Sequence, residues 1–166
     1  MKIYNPKGKI LDGDCVVGLC YGTSLGDESV NKKLADQMLH LSAGRPTIAD
    51  PPIVHSFKNG DKLFTHTIDS LDTNKIIGRS GTWGSLLKVK QYLDDHHLKK
   101  PILVAQAYHV NRAARQAQKL GITVIIPKNL PVAFDRQSEQ FWTRSLYYWI
   151  PFNILGSILL KWRREL

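Results

Sequence analysis

The chain has 166 residues, 43 % hydrophobic and 22 % charged. That length and balance suit a single domain over residues 1–166 with one core, and exclude wholesale disorder, collagen-like and repeat architectures. The formal net charge of +9 points to anionic partners (phosphate-bearing metabolites, nucleic acid, an acidic membrane surface) or to a solvated basic surface.

The opening MKIYNPKGKI has no apolar core of the kind a signal peptide needs, so a reducing cytosol is the expected compartment. Cys15 and Cys20 are five apart in what reads as one strand. An odd offset turns their side chains to opposite faces, which argues against a disulfide and for small hydrophobes.

In chain order, CVVGLCY (Cys15–Tyr21) is a short apolar run without polar alternation, as in a strand buried on both faces. GTSLGDES is a turn in which Asp27 or Ser29 caps the next helix. That helix runs from Glu28 to Ala43, with Val30, Leu34, Met38 and Leu41 at helical spacing and Gly44 as its stop. RPTIADPPIVHSF reads as a strand, a kink at Pro51–Pro52 and a second extended piece. KNGDK reads as a turn, KLFTHTIDS as an edge strand or hairpin arm, and NKIIG as a further short strand.

A helix is predicted from Thr82 to His96 or His97, with Trp83, Leu87 and Leu93 on its apolar side. PILVAQA is the clearest buried strand. The helix His109–Leu120 follows, striped by Val110, Ala113, Ala114 and Ala117 and closed by Gly121. ITVIIP is the next strand, and residues 138–162 form a last apolar helix, its body at 141–162. Alternation of strands with crossover-length helices gives an α/β fold: a three-layer αβα sandwich with a mainly parallel, Rossmann-like sheet.

In such sheets ligands sit beyond the carboxyl ends of the strands. The first strand delivers Gly22, Thr23 and Ser24 to that edge. The GRSGTWG segment brings Arg79, Ser80, Gly81 and Thr82, the PILVAQA strand brings Gln106 and Tyr108, and ITVIIP brings Pro127 and Lys128. Small residues at helix starts let a phosphate or carboxylate reach backbone amides, although the same residues also make ordinary turns. There is no GxGxxG or GxxxxGK[ST] pattern, so neither a dinucleotide fingerprint nor a P-loop is claimed.

His109 and Arg112 are i and i+3 in a first helical turn and lie off the apolar stripe. There a histidine stays neutral and serves as base or hydrogen-bond partner, while an arginine clamps an oxyanion. The competing reading is a pair of solvated polar residues. No histidine or cysteine pair has zinc-ligand spacing, so no metal site is assigned, and a carboxylate site requires Asp12, Asp14, Asp27, Asp50 and Asp72 to converge in three dimensions.

The strand–turn VVGLCYGTS, the helix opening RSGTWGSLLKVKQYL and the strand–helix unit ILVAQAYHVNRAARQAQKLGI together resemble the bacterial YdcF/SanA/ElyC-like family over roughly residues 14–160. The specific part is His-x-x-Arg in its strand–helix context. The resemblance implies a Rossmann-like domain whose ligand crevice is lined by Gly22, Thr23, Thr82, His109 and Arg112. It brings S-adenosylmethionine into view as a cofactor and links the chain to the cell envelope and lipid-linked glycan precursors. This chain departs from the family pattern in three places: Gln106 replaces a Ser or Thr, ADPPIVHSF replaces a Gly-rich turn, and Arg144-Ser145 replaces Arg-Glu.

SLYYWIPFNILGSILL is uncharged and KWRRE follows it. Two readings stand: a helix packed on the sheet, or residues 145–166 as an anchor on an anionic membrane surface. Pro151, Asn153 and Gly156 interrupt it, and spanning needs about 20 apolar residues. The expected function is therefore binding of an anionic small molecule, phosphorylated or nucleotide-like, with transferase or hydrolase chemistry centred on His109 and Arg112. The alternative is a non-catalytic membrane-surface or envelope-assembly factor, peripheral to the inner membrane. Nucleic-acid binding has only the net charge behind it.

Overall fold

The computed structural model describes residues 4–25, 28–68, 81–151 and 154. Its centre is a parallel sheet in the order β3-β2-β1-β4, built from β1 (Cys15–Gly18), β2 (Thr47–Ala49), β3 (His66–Thr67) and β4 (Pro101–Val104). β1 and β4 pair in register from Cys15 opposite Pro101 to Gly18 opposite Val104. Every residue of β1, β2 and β4 is buried, which explains why these segments are apolar without alternation.

Helices cover both faces. α1 (Val30–Ser42) and α2 (Pro51–Val54) pack together on one side; α4 (Thr82–Asp95) and α5 (Ala107–Lys119) pack together on the other. Gly18 is where the first layer comes closest, because a Cβ there would run into Met38 of α1 and Ile53 of α2. Leu34, Met38, Ile48, Ile53, Leu86, Ile102 and Leu103 are fully enclosed in the resulting core. Each such side chain contributes about 1.5–3 kcal/mol relative to leaving it in water. The α/β sandwich expected from the alternation of elements is the observed fold.

Several local expectations are corrected. β1 stops at Gly18, so Cys20 lies outside the strand. Both cysteines are free thiols, and burial pushes both well above their usual range. Pro51-Pro52 does not start a second extended piece; the prolines occupy the first turn of α2, where a fixed φ and a missing N–H are harmless. The turn expected near KNGDK includes the one-turn helix α3 (Gly60–Leu63). The edge strand after it shrinks to β3, parallel to β2 rather than a hairpin arm.

α5 starts at Ala107, two residues earlier than its apolar stripe suggests, because Gln106 caps it. ITVIIP is not a full strand. Ile125 makes one parallel bridge beside Ile102, and Ile126 one antiparallel bridge with Lys7. The terminal helix does not begin at 138 or 141: residues 141–143 are a 3-10 turn and helix resumes at 146. Asp135 N–H donates to the Thr143 carbonyl, and Thr143 Oγ1 to the Gln140 carbonyl, closing residues 135–143 into a loop instead. The predicted NKIIG strand, Asp27 as a cap, and most of the tail fall outside the described residues.

α1 is capped by Ser29, whose hydroxyl accepts from Lys32 N–H. The turn between β1 and α1 is held by Asn31, which is fully buried: Oδ1 accepts from Tyr21 N–H, and Nδ2 donates to the carbonyls of Gly22 and Ser24. Asn31→Ala strips partners from three backbone groups at once. It is expected to destabilise the domain by roughly 3 kcal/mol, read by urea denaturation.

Candidate functional site

The strand order places a change of winding direction between β1 and β4, since the chain builds outward from β1 to β2 and β3 and then returns to the other side of β1. Helices on either side of such a point diverge, leaving a crevice at the carboxyl ends of the two strands. Tyr21 leaves β1 there and His109 leaves β4 there. Their rings lie 6.3 Å apart, centroid to centroid.

His109 is not a solvated residue at a helix start. It is 4 % exposed, buried along with Ala107, Val110 and Ala113. Its Nδ1 is 3.1 Å from Nη2 of Arg112, and its Nε2 is 3.1 Å from Oγ1 of Thr82 at the start of α4. A guanidinium can only donate, so Nδ1 is an acceptor and the ring proton belongs on Nε2, where it is donated to Thr82. Burial, reinforced by the Arg112 charge, pushes the His109 pKa down to about 3. The imidazole is therefore a neutral bridge of fixed tautomer. Both its nitrogens are engaged, so action as a general base first requires breaking the Arg112 bond.

Arg112 is half-buried, and its pKa is lowered by burial while the neighbouring Tyr21 raises it. Tyr21 is 4 % exposed, and its hydroxyl has no hydrogen-bond partner among the described residues. Its ring also meets Phe134 at 6.2 Å, and Phe134 in turn meets Tyr108 at 5.3 Å. Burial, opposed by Arg112 and aided by Asp135, raises the Tyr21 pKa, so the phenol keeps its proton.

The glycine turn after β1 faces a different partner. The Thr23 amide donates to Ser138 Oγ at 3.1 Å and the Ser24 amide to Asp135 Oδ2 at 3.1 Å. Gly22 has φ 79°, and a Cβ there would collide with the Asp135 carboxylate and Ser138. The two amides expected to cradle an anion are thus already satisfied from the loop after β4 and α5, by a carboxylate and a hydroxyl of the protein itself.

Of the residues named from sequence, Thr82, His109 and Arg112 are brought together in one bonded chain. Gly22, Thr23 and Ser24 sit nearby but under the Asp135–Ser138 loop. Tyr108 is half-buried and packs against Phe134 and Trp149. Gln106 plays a structural part. Fully buried, it accepts from the Tyr108 amide through Oε1 and donates to the carbonyls of Val132 and Ala133. Arg79 and Ser80 lie outside the described residues.

Sequence reasoning passed over Tyr21 and Asp135, and weighed Asp50 only as one of several scattered carboxylates. The Asp50 carboxyl accepts from the Cys20 amide at 2.9 Å and has Ser85 of α4 as a side-chain partner. Its burial raises its pKa. Tyr21 and Asp50 both closely follow buried strands, and the carboxyl-edge rule applied to β1 and β2 finds them; Asp135 has no such signal. A cavity of about 640 Å³ lies elsewhere, bounded by Pro6, Gln37, His40, Ile126 and Lys128, and includes none of the Thr82–His109–Arg112 residues. Among the described residues no group of three or more His, Cys, Asp or Glu side chains is placed to hold a metal ion.

The buried imidazole makes stability depend on pH. With a native pKa of about 3 and an unfolded value of about 6.5, the unfolded chain binds the extra proton between those limits. Stability from this group is complete above about pH 6.5 and declines as pH falls toward 3, by at most about 1.4 kcal/mol per pH unit. Denaturation of wild type and His109→Gln across pH 4–7 is expected to show a shallower acid loss in the variant.

No protein-family profile, curated protein or solved structure matches the chain.

Proposed function

We propose that the chain binds a phosphorylated or nucleotide-like small molecule at the carboxyl edge of its sheet, between the ends of β1 and β4. The observation that carries this reading is the Thr82–His109–Arg112 chain of hydrogen bonds: a buried, tautomer-locked imidazole that positions a guanidinium at the place where a parallel sheet changes its winding direction. Packing alone favours apolar residues at such a position, because polar groups there must be desolvated and then satisfied. The family resemblance suggests S-adenosylmethionine-like ligands and lipid-linked sugar phosphates as candidates, and an envelope-related role. Transferase or hydrolase chemistry would draw on Arg112 for charge stabilisation, with His109 orienting it.

Thermal-shift screening against nucleotides, S-adenosylmethionine and sugar phosphates tests the reading. At least one compound is expected to stabilise the wild type. Arg112→Ala is expected to weaken that compound by about 10- to 100-fold, as loss of a charged hydrogen bond does. A screen without any stabilising compound, or an Arg112→Ala variant that binds as the wild type does, refutes it.

A second reading, a membrane-surface or envelope-assembly factor at the cytoplasmic side of the inner membrane, is favoured by the helix starting at 146. Leu146, Tyr147, Tyr148 and Ile150 are exposed on it, Tyr147 to 83 %. Trp149 packs against Tyr108 instead of facing outward. Arg144 precedes this apolar surface and Lys161, Arg163 and Arg164 follow it in sequence, a pattern suited to an anionic bilayer interface. Among the described residues no helix is long and apolar enough to cross a membrane. The wild type is expected to sediment with anionic but not neutral liposomes, less so in high salt or without residues 145–166; a wild type indifferent to lipid charge ends this reading.

A further inference from the structure

We infer that Tyr21 and Arg112 form a two-donor seat for a tetrahedral oxyanion, with the Tyr21 hydroxyl as a ligand-directed group. This seat deepens the anion-binding reading, on which it rests, by assigning the atoms that meet the ligand. Four observations on different elements support it.

First, the Tyr21 hydroxyl is buried without a hydrogen-bond partner among the described residues. A buried polar group left unsatisfied opposes folding, and its persistence is explained when a ligand supplies the missing partner. Second, the residue is held in place at both ends: Asn31 accepts its amide proton, and the ring is set between His109 and Phe134. Third, Arg112, bonded to the His109 ring that lies 6.3 Å from the Tyr21 ring, has no acceptor atom and so offers an anion only donors.

Fourth, Asp135 closes the neighbouring option. Its carboxylate takes the Ser24 amide and, with Ser138, covers the Gly22 turn. A second anion there would meet like charge, so an oxyanion is directed toward the Arg112 side. Donors supplied from two different elements suit a phosphate or sulfate group, whose oxygens accept in several directions, better than a planar carboxylate.

The test compares wild type, Tyr21→Phe and Arg112→Ala by calorimetric titration with inorganic phosphate, sulfate and acetate, alongside unliganded thermal denaturation. Tyr21→Phe is expected to lower phosphate and sulfate affinity by about tenfold. Its unliganded melting temperature is expected to stay within about 2 °C of wild type or to rise, since the unsatisfied hydroxyl is gone. Unchanged phosphate affinity in Tyr21→Phe, while Arg112→Ala loses it, overturns this inference and leaves the anion-binding reading standing. A clear fall in unliganded melting temperature also overturns it, because the hydroxyl is then a structural group. Acetate binding as tight as phosphate overturns the tetrahedral seat. Wild type that binds neither phosphate nor sulfate overturns the seat, and the reading beneath it falls as well only where no nucleotide, S-adenosylmethionine or sugar phosphate stabilises the protein.

Discussion

Parallel pairing of β1 with β4 puts two carboxyl ends side by side, and the site follows from that constraint. With Gly18 opposite Val104, the chain leaves both strands at the same level. Tyr21 is three residues past the end of β1 and His109 is five past the end of β4, so both arrive at one rim. An antiparallel pairing would send the two exits to opposite edges. A register slip of one residue would turn every buried side chain of the slipped strand to the other face.

Around that pairing the molecule accepts an arrangement that packing alone does not favour. His109 is enclosed, kept neutral by burial and by a cation at its side, and bonded at both nitrogens. The arrangement links α4 to α5 through Thr82 and Arg112, so it contributes to the helix layer on that face as well as to the site. These bonded groups satisfy one another, which limits the penalty of desolvating them. The Tyr21 hydroxyl beside them has no hydrogen-bond partner among the described residues.

The segment from Pro131 to Thr143 ties the rim together. Gln106 holds its first carbonyls, Asp135 and Ser138 hold the turn after β1, and Phe134 inserts between Tyr21 and Tyr108. Arg144 closes the far end by donating from Nε to the Ser138 carbonyl at 2.8 Å. The aromatic contacts continue from Tyr108 to Trp149, so the exposed helix is moored to the rim through one indole.

The layered α/β fold was legible because buried parallel strands are short apolar runs and their crossover helices carry a 3.6-residue stripe, both properties of local sequence. His109 and Arg112 stood out for the same reason, as polar residues at the junction of a buried strand and a striped helix. Local pattern misread Pro51-Pro52, which a helix start accommodates as readily as an extended kink. It also placed His109 outside the core, since stripe positions describe one helix and not the second helix packed over it. By itself the sequence determined the layers, the buried strands β1 and β4 with the helix that follows each, and the carboxyl-edge location of Thr82, His109 and Arg112. Only the tertiary structure decided that the glycine turn is covered by Asp135, that Gln106 is a cap, and that Tyr21 lies within the cluster. Those outcomes depend on contacts such as that of Ser24 with Asp135, 111 positions apart, and no local periodicity encodes such pairings.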